Sequence, residues 1–461
     1  MEIPEPRLGT WTSSRSFVLV AVGACVGMGN LVRLPELLSL HGSWPFLGVY
    51  LACILLVGMP LLMAEWTLGR WMRGDLVSGF DRLAEAAGTR RVWRWLGAMM
   101  VLTAGLVLSY YSVIAGWSLA YVFRVASGSL AGASEADLVA RFLSLAGEPE
   151  RGLGWHTIFM VTTCVVVAHG FREGIEHTAL RLVPASLLVA LLLLAYLLWR
   201  APSGEGAAVS LLTSTGPLTL ALFWAALQES LITLSLGIGA MVALGVYLPA
   251  QTRLLPTALA VVSLDLFFAL ILGLSLALVL ARGDAVGVAG LGIIFQELPQ
   301  ALSPGLEGTL IGLGFYLLLA MMTLTSAVVL LETVTRYAME RWRLTRVFAG
   351  TASAMGIWAV GVLSLLSFAA EPILRIDRFT IFEALRGVTA QVFAPLAALL
   401  ICIYVGRLLP VPLARVAYGS SGGFAFWWWA LRYPARMGAV LVLLQAFGIL
   451  DWVLAFWRPT G

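Results

Sequence analysis

Apolar residues run through this chain in stretches of about 20, separated by short segments rich in arginine, glycine and proline. Each stretch is long enough to cross a roughly 30 Å hydrocarbon core as a helix. The pattern predicts eleven spans: 17–38, 45–70, 93–125, 154–170, 179–200, 219–248, 253–281, 307–339, 346–369, 379–407 and 436–458. Two of them cannot stay helical throughout. Gly23, Gly27 and Gly29 fall within seven residues of the first span, with Asn30, Arg33 and Pro35 following at once. The sixth is interrupted by Thr233-Leu234-Ser235-Leu236-Gly237-Ile238-Gly239. Glycine lowers helix stability by about 1 kcal/mol relative to alanine, so such clusters mark breaks.

A break at membrane depth has chemical consequences. Unwound backbone persists there only where protein buries it or where it lines a polar cavity. Its freed carbonyls bind cations, and a half-helix N-terminus binds a carboxylate. Two broken helices in corresponding positions of two halves point to the central site of a transporter.

Composition agrees. The chain has 461 residues, 60% of them hydrophobic and 12% charged, with a mean hydropathy of +0.93, which excludes a soluble globular domain. No lysine occurs, so arginine alone sets the orientation. With the N-terminus inside, cytoplasmic loops carry Arg73, Arg82, Arg90, Arg91, Arg94, Arg172, Arg181, Arg253, Arg341, Arg343, Arg346, Arg407, Arg415, Arg432 and Arg436. Outside then lie Glu135, Asp137, Glu148, Glu150, Glu205, Asp284, Glu297, Glu371 and Asp377, and the C-terminus is outside. The net charge of +4 reflects this topology and no nucleic-acid partner. Cys25, Cys53, Cys164 and Cys402 fall inside spans without metal-ligand spacing and read as small apolar groups. The first span lacks a cleavage site for a signal peptide. Ser420 to Trp429, rich in Gly, Ser and aromatics, reads as an interfacial cytoplasmic connection.

Ordered motifs sharpen the reading. Trp11, the run Gly23 to Pro35, His41-Gly42-Ser43-Trp44-Pro45-Phe46 and Val57-Gly58-Met59-Pro60…Glu65…Gly69-Arg70 come first. Tyr110-Tyr111…Trp117, Thr233-Leu234-Ser235-Leu236-Gly237, Leu298-Pro299 and Leu324-Thr325-Ser326-Ala327…Glu332 follow. In this order, over nearly the whole chain, they resemble the neurotransmitter:sodium symporter family, in its bacterial amino-acid transporter branch. The resemblance implies an all-α polytopic membrane protein of the LeuT type: one transporter domain over 1–461, with broken helices 1 and 6. Two inverted five-helix repeats, about 11–200 and about 219–407, would precede a peripheral helix at about 436–458.

The family's ion positions fall on residues whose oxygens suit hard cations. The first sodium would take the Cys25 carbonyl, Asn30, Thr233 and Asp265, completed by the substrate's carboxylate. The second would take the carbonyls of Gly23, Val26 and Met322 and the hydroxyls of Thr325 and Ser326. Thr-Ser pairs in membrane helices otherwise bond back to the preceding turn, and an intramembrane Asp is otherwise protonated or a helix cap. The substrate carboxylate would meet amides at Gly27–Gly29 and the Tyr111 hydroxyl, and its amino group carbonyls around Ala24, Thr233 and Ser235. Val107, Ile232, Ile238, Ser326 and Leu330, with Met28 nearby, would wall the side chain. Relatives that carry monoamines have an aspartate at the position of Gly27, so a substrate that keeps its own carboxylate is expected.

Several positions depart from the family. Ile232 replaces the usual phenylalanine lid. Arg33 matches the outer-gate arginine, but Arg386 stands at its acidic partner's position, leaving Glu383 one turn earlier. Chloride-independent relatives carry an acid where this chain has Ala269, so Glu229 is expected to supply the charge, exchange a proton, and make chloride unnecessary. Glu340, Tyr247 and Arg7 match an inner gate, and Glu65 would tie down unwound backbone amides near both breaks. His41, His156, His169 and His177 are scattered, so no hydrolase is expected, and broken helices suit a closed site better than a channel. The expectation is a multi-pass inner-membrane symporter, not an enzyme, coupling one or two Na+ to a neutral, hydrophobic amino acid. Another small zwitterion, or a substrate sensor on the same fold, is the alternative.

Overall fold

The computed structural model describes residues 9–130, 132–200, 214–249, 251–281, 290–302, 304–369, 375–376, 379–419 and 422–449. The fold is a polytopic helical bundle, as the sequence predicts. α1 (Ser14–Cys25) and α2 (Met28–His41) form a span bent by 62°. α3 (Ser43–Met72) leads into α4 (Leu76–Ala87), an amphipathic helix capped by Asp75. α5 (Arg91–Ala126), α6 (Glu135–Gly147), α7 (Pro149–Ala168) and α8 (Phe171–Arg200) follow. α9 (Leu220–Ile232) and α10 (Ala240–Gly245) are two pieces of a second broken span. α11 (Leu254–Leu280), α12 (Leu306–Trp342), α13 (Arg346–Leu366) and α14 (Ile381–Leu408) complete the long helices. Among the described residues, eight unbroken helices and the bent α1–α2 pair meet the length and hydropathy of a membrane span. The two pieces of the sixth span are too short to do so separately.

The last part of the chain departs from expectation. After α15 (Val411–Tyr418), Phe424–Ala430 continues through a π-type turn, Leu431–Ala435, into Arg436–Ala446, here called α16. The aromatic run is therefore the first part of the last helix and not a connection. Part of it packs on protein: Trp427 and Trp428 are buried while Phe426 and Trp429 are exposed, and the Trp427 indole N–H donates to the Pro60 carbonyl at 2.9 Å. Ser420 lies outside the described residues, as does the end of the span expected at 436–458.

The longest helices, α5 and α12, lie along each other. α3 holds both pieces of the second broken span by close backbone approach. A Cβ on Gly69 would stand 2.1 Å from the Val242 carbonyl of α10, so no larger residue fits there without separating the helices.

Candidate functional site

Each break is fixed by local geometry. Val26 (ψ 116°) and the extended Gly27 interrupt the first helix, and Asn30 Oδ1 accepts from the Gly27 amide at 3.1 Å. In the second, Ser235, Gly237 and Gly239 have φ of 51°, 77° and 83°. Gly237 is required twice over: a Cβ would sit 2.0 Å from the Ala394 carbonyl of α14, and positive φ strains any other residue. Its freed amide donates to Glu65 Oε1 at 2.7 Å. Glu65 thus ties down the second break and, among the described residues, makes no hydrogen bond to the first. The breaks touch where Ser235 Oγ donates to the Ala24 carbonyl at 3.0 Å.

Asp265, fully buried on α11, joins them. Its Oδ1 accepts from Asn30 Nδ2 at 2.9 Å and its Oδ2 from Thr233 Oγ1 at 2.7 Å. Three of the four side-chain and backbone groups expected for the first cation thereby meet, with Cys25 at the end of α1 lining the same cavity. A second oxygen cluster lies between α1 and α12. Thr325 Oγ1 is 2.8 Å from the Gly23 carbonyl and 2.9 Å from that of Met322. Ser326 Oγ reaches the carbonyls of Gly23, Met322 and Val26 at 3.0, 3.2 and 3.3 Å. Bonding back to Met322 accompanies the contacts to α1. Carbonyls, hydroxyls and one carboxylate are the donors a hard monovalent cation takes.

Between the breaks is a cavity of about 190 Å³. α1 and α2 give it Ala24, Cys25, Gly27, Met28 and Gly29. The second broken span gives Ile232, Thr233, Ser235 and Ile238, and the walls are Val107 and Tyr111 on α5 with Ser326 and Leu330 on α12. Every residue expected to bind substrate lines it. Tyr111 Oη lies 3.1 Å from where a Cβ on Gly27 would be. It comes near Ser326 and the Met28 backbone but forms no hydrogen bond of acceptable geometry with the described residues. Sequence reasoning missed Gln228 and Thr389, which also line the cavity; polar residues inside apolar runs were the available signal.

The outer gate is corrected. Arg33 pairs with Glu229, and its Nη2 donates to Gln228 Oε1 at 3.1 Å. Glu383 instead caps its own helix, accepting from the Thr380 amide and hydroxyl at 2.9 Å each; a carboxylate in the first turn suits the positive end of a helix. Arg386 is exposed and forms no ion pair among the described residues. Glu229, expected to supply negative charge near the first cation, with pairing to an arginine as the alternative, is paired with Arg33.

The end of the bundle where α1 begins is closed by rings and charges. Trp11 packs on Phe171, whose ring stacks on Tyr247 at 3.6 Å, and the Trp11 indole donates to the Leu244 carbonyl at 3.2 Å. Tyr247 donates to Glu332 at 2.6 Å, Arg346 holds the other Glu332 oxygen, and the Arg336 guanidinium lies over the Tyr247 ring at 4.6 Å. Glu340 accepts from the Asp75 amide at 2.8 Å and faces Arg336 and Arg82 at 3.5 and 3.9 Å. Burial, then the neighbouring Glu340 carboxylate, pushes the Asp75 carboxyl above its ordinary range. Arg7 lies outside the described residues. Glu176, which accepts from the Thr12 amide at 3.1 Å and from its hydroxyl, was missed. So was Arg336, although charges in apolar runs mark such positions.

Residues 8–137 match the model of the sodium:neurotransmitter symporter family. The crystal structure of MhsT in complex with L-phenylalanine is 31% identical, covering 95% of this chain and all of that one, with a TM-score of 0.83. The chain belongs to the sodium:neurotransmitter symporter family. Among curated relatives of this symporter, an uncharacterized sodium-dependent transporter, YhdH of Bacillus subtilis, is 29% identical over 447 residues, 96% of this chain and 98% of that protein. The human sodium-dependent neutral amino acid transporter SLC6A17 is 29% identical over 114 residues, 25% of this chain and 15% of its own. The family is one of membrane transporters, not enzymes.

Proposed function

We propose that this symporter carries a neutral, hydrophobic amino acid into the cell with sodium, by alternating access between the two gates. One observation carries the reading: a buried carboxylate, Asp265, receives a donor from each broken helix beside a cavity walled by Val107, Ile232, Ile238 and Leu330. Two oxygen clusters support two sodium sites. Amides at Gly27–Gly29 and the Tyr111 hydroxyl suit a carboxylate, and the apolar walls suit an aliphatic or aromatic side chain. The sodium-dependent names of relatives agree with the coupling ion, and the phenylalanine bound to MhsT with that substrate class.

Chloride is not required on this reading. Asp265 carries the negative charge beside the first sodium, while Glu229 is engaged by Arg33. The protein sits in the inner membrane with its N-terminus inside and its C-terminus outside, its two halves forming inverted repeats around the site. Two sodium ions with a neutral zwitterion draw about 4–5 kcal/mol from each 100 mV of membrane potential, enough for about thousand-fold accumulation.

A thermal-shift screen of purified protein against amino acids, with sodium or choline, tests this. A ligand that binds only the folded state raises the melting point, and linkage makes the rise sodium-dependent. Leucine- or phenylalanine-class ligands should stabilise in sodium alone. Stabilisation by none of them, or equally in choline, defeats the reading.

A further inference from the structure

A second concavity lies on the outside of the bundle, at the seam of α5, α12 and α13, with a volume of about 520 Å³. Leu102, Leu106, Val334, Ile357 and Val360 line it. Its floor is opened by small residues: a Cβ on Gly356 would meet nothing within 4 Å, and one on Gly105 only side chains at 3.7 Å or more. An apolar slot on the outer surface of a membrane protein faces acyl chains.

One end of the slot is polar. Ala98 and Tyr337 border both the slot and a recess of about 710 Å³ that holds Arg94 and Arg341. Arg94 precedes Ala98 by one helical turn on α5, and Arg341 follows Tyr337 by one turn on α12. α5 begins and α12 ends at this side of the bundle, so Arg94 and Arg341 both line the recess that adjoins the slot through Ala98 and Tyr337. Neither forms an ion pair among the described residues. Trp95 and Trp342, 66% and 60% exposed, flank them; tryptophan at such positions marks the depth of lipid headgroups. Asp75, Asp81 and Glu340 share the recess. Two of these are already engaged, Glu340 by Arg82, Arg336 and the Asp75 amide, and Asp75 by Ser78.

We propose that this seam binds one anionic phospholipid, its phosphate on Arg94 and Arg341 and an acyl chain in the slot. The occupant touches the helices that wall the central cavity: Val107 lies two residues from Gly105 on α5, and Leu330 one turn from Val334 on α12. Arginines near a membrane surface attract anionic headgroups, and their stems lie along apolar surface.

Native mass spectrometry of the full chain in detergent, titrated with phosphatidylglycerol or phosphatidylethanolamine, tests the site. One phosphatidylglycerol per chain is expected at saturation, with phosphatidylethanolamine binding more weakly. The exposed double variant Arg94→Gln/Arg341→Gln should weaken phosphatidylglycerol about thirty-fold. Gly356→Leu, which fills the slot, should abolish retention of either lipid while the melting point stays within a few degrees. Equal binding of the two lipids, an unchanged arginine variant, or no retained lipid overturns the proposal. So does Gly356→Leu converting a dimer to a monomer without loss of lipid, since the slot would then be a contact between copies of the chain.

Discussion

Replacing Asp265 by Asn separates charge from hydrogen bonding at the point where both breaks meet. Asparagine has nearly the same shape and keeps an oxygen that can accept from Thr233 or Asn30, so a purely structural aspartate would be spared. A cation held beside Asp265 loses its only full negative partner from the protein. Two unit charges 4 Å apart interact by about 4 kcal/mol at an effective dielectric of 20. The amide oxygen returns part of this, leaving a net loss of about 2–3 kcal/mol. The half-saturating sodium concentration for substrate binding should therefore rise about 30- to 150-fold. Scintillation-proximity binding of a radiolabelled amino acid at graded sodium, with ionic strength kept constant by choline, reads this directly. The chloride argument adds a second outcome: chloride should partly restore sodium affinity in Asp265→Asn and do nothing for the wild type. A sodium dependence within three-fold of the wild type in chloride-free buffer refutes the reasoning.

Other positions give independent checks. Gly27→Ala places a methyl 3.1 Å from the Tyr111 hydroxyl, so substrate affinity should fall at least ten-fold with little change in melting point. Gly237→Ala meets the Ala394 carbonyl at 2.0 Å and an unfavourable φ; a fall of several degrees in melting point, or loss of folded protein, is expected. With Cys53, Cys164 and Cys402 replaced by Ala, Cys25 reports on the cavity: sodium plus substrate should slow its alkylation in inside-out vesicles. Trp11→Ala, which removes the plug against Phe171 and Tyr247, should speed that alkylation, and an unchanged rate would mean that Trp11 does not seal the cytoplasmic side.

The breaks were legible because each rests on chemistry confined to a few neighbouring residues, whereas the two oxygen clusters, which join residues far apart along the chain, were legible only through the family resemblance. Glycines cannot hold a helix together, and an Asp, an Asn and adjacent hydroxyls inside apolar runs need partners. The partners of charged side chains were less legible. For Arg33 the sequence left Glu383 on the tenth span or a differently organised gate open; the pairing depends on how α2 and α9 pack, and only the fold brings Glu229 to it. Glu383 was misread because an acid in the first turn of a helix has a local use, capping, that sequence spacing does not distinguish from gating. The aromatic run at Phe424–Trp429 has the composition of an interface, yet the Pro60 carbonyl gives Trp427 an interior partner. Arg336 carried the signal of charge within apolar sequence, and Glu176 lies in the polar loop before the fifth predicted span, but their roles come from Tyr247 and Thr12, far away along the chain.

The most direct test of the central claim, that the two breaks hold a cation and an organic acid together, is uptake into proteoliposomes. Radiolabelled leucine or phenylalanine should accumulate saturably under an inward sodium gradient, faster with a negative-inside potential, and not when choline replaces sodium. Saturable accumulation that proceeds equally well in choline would contradict the account.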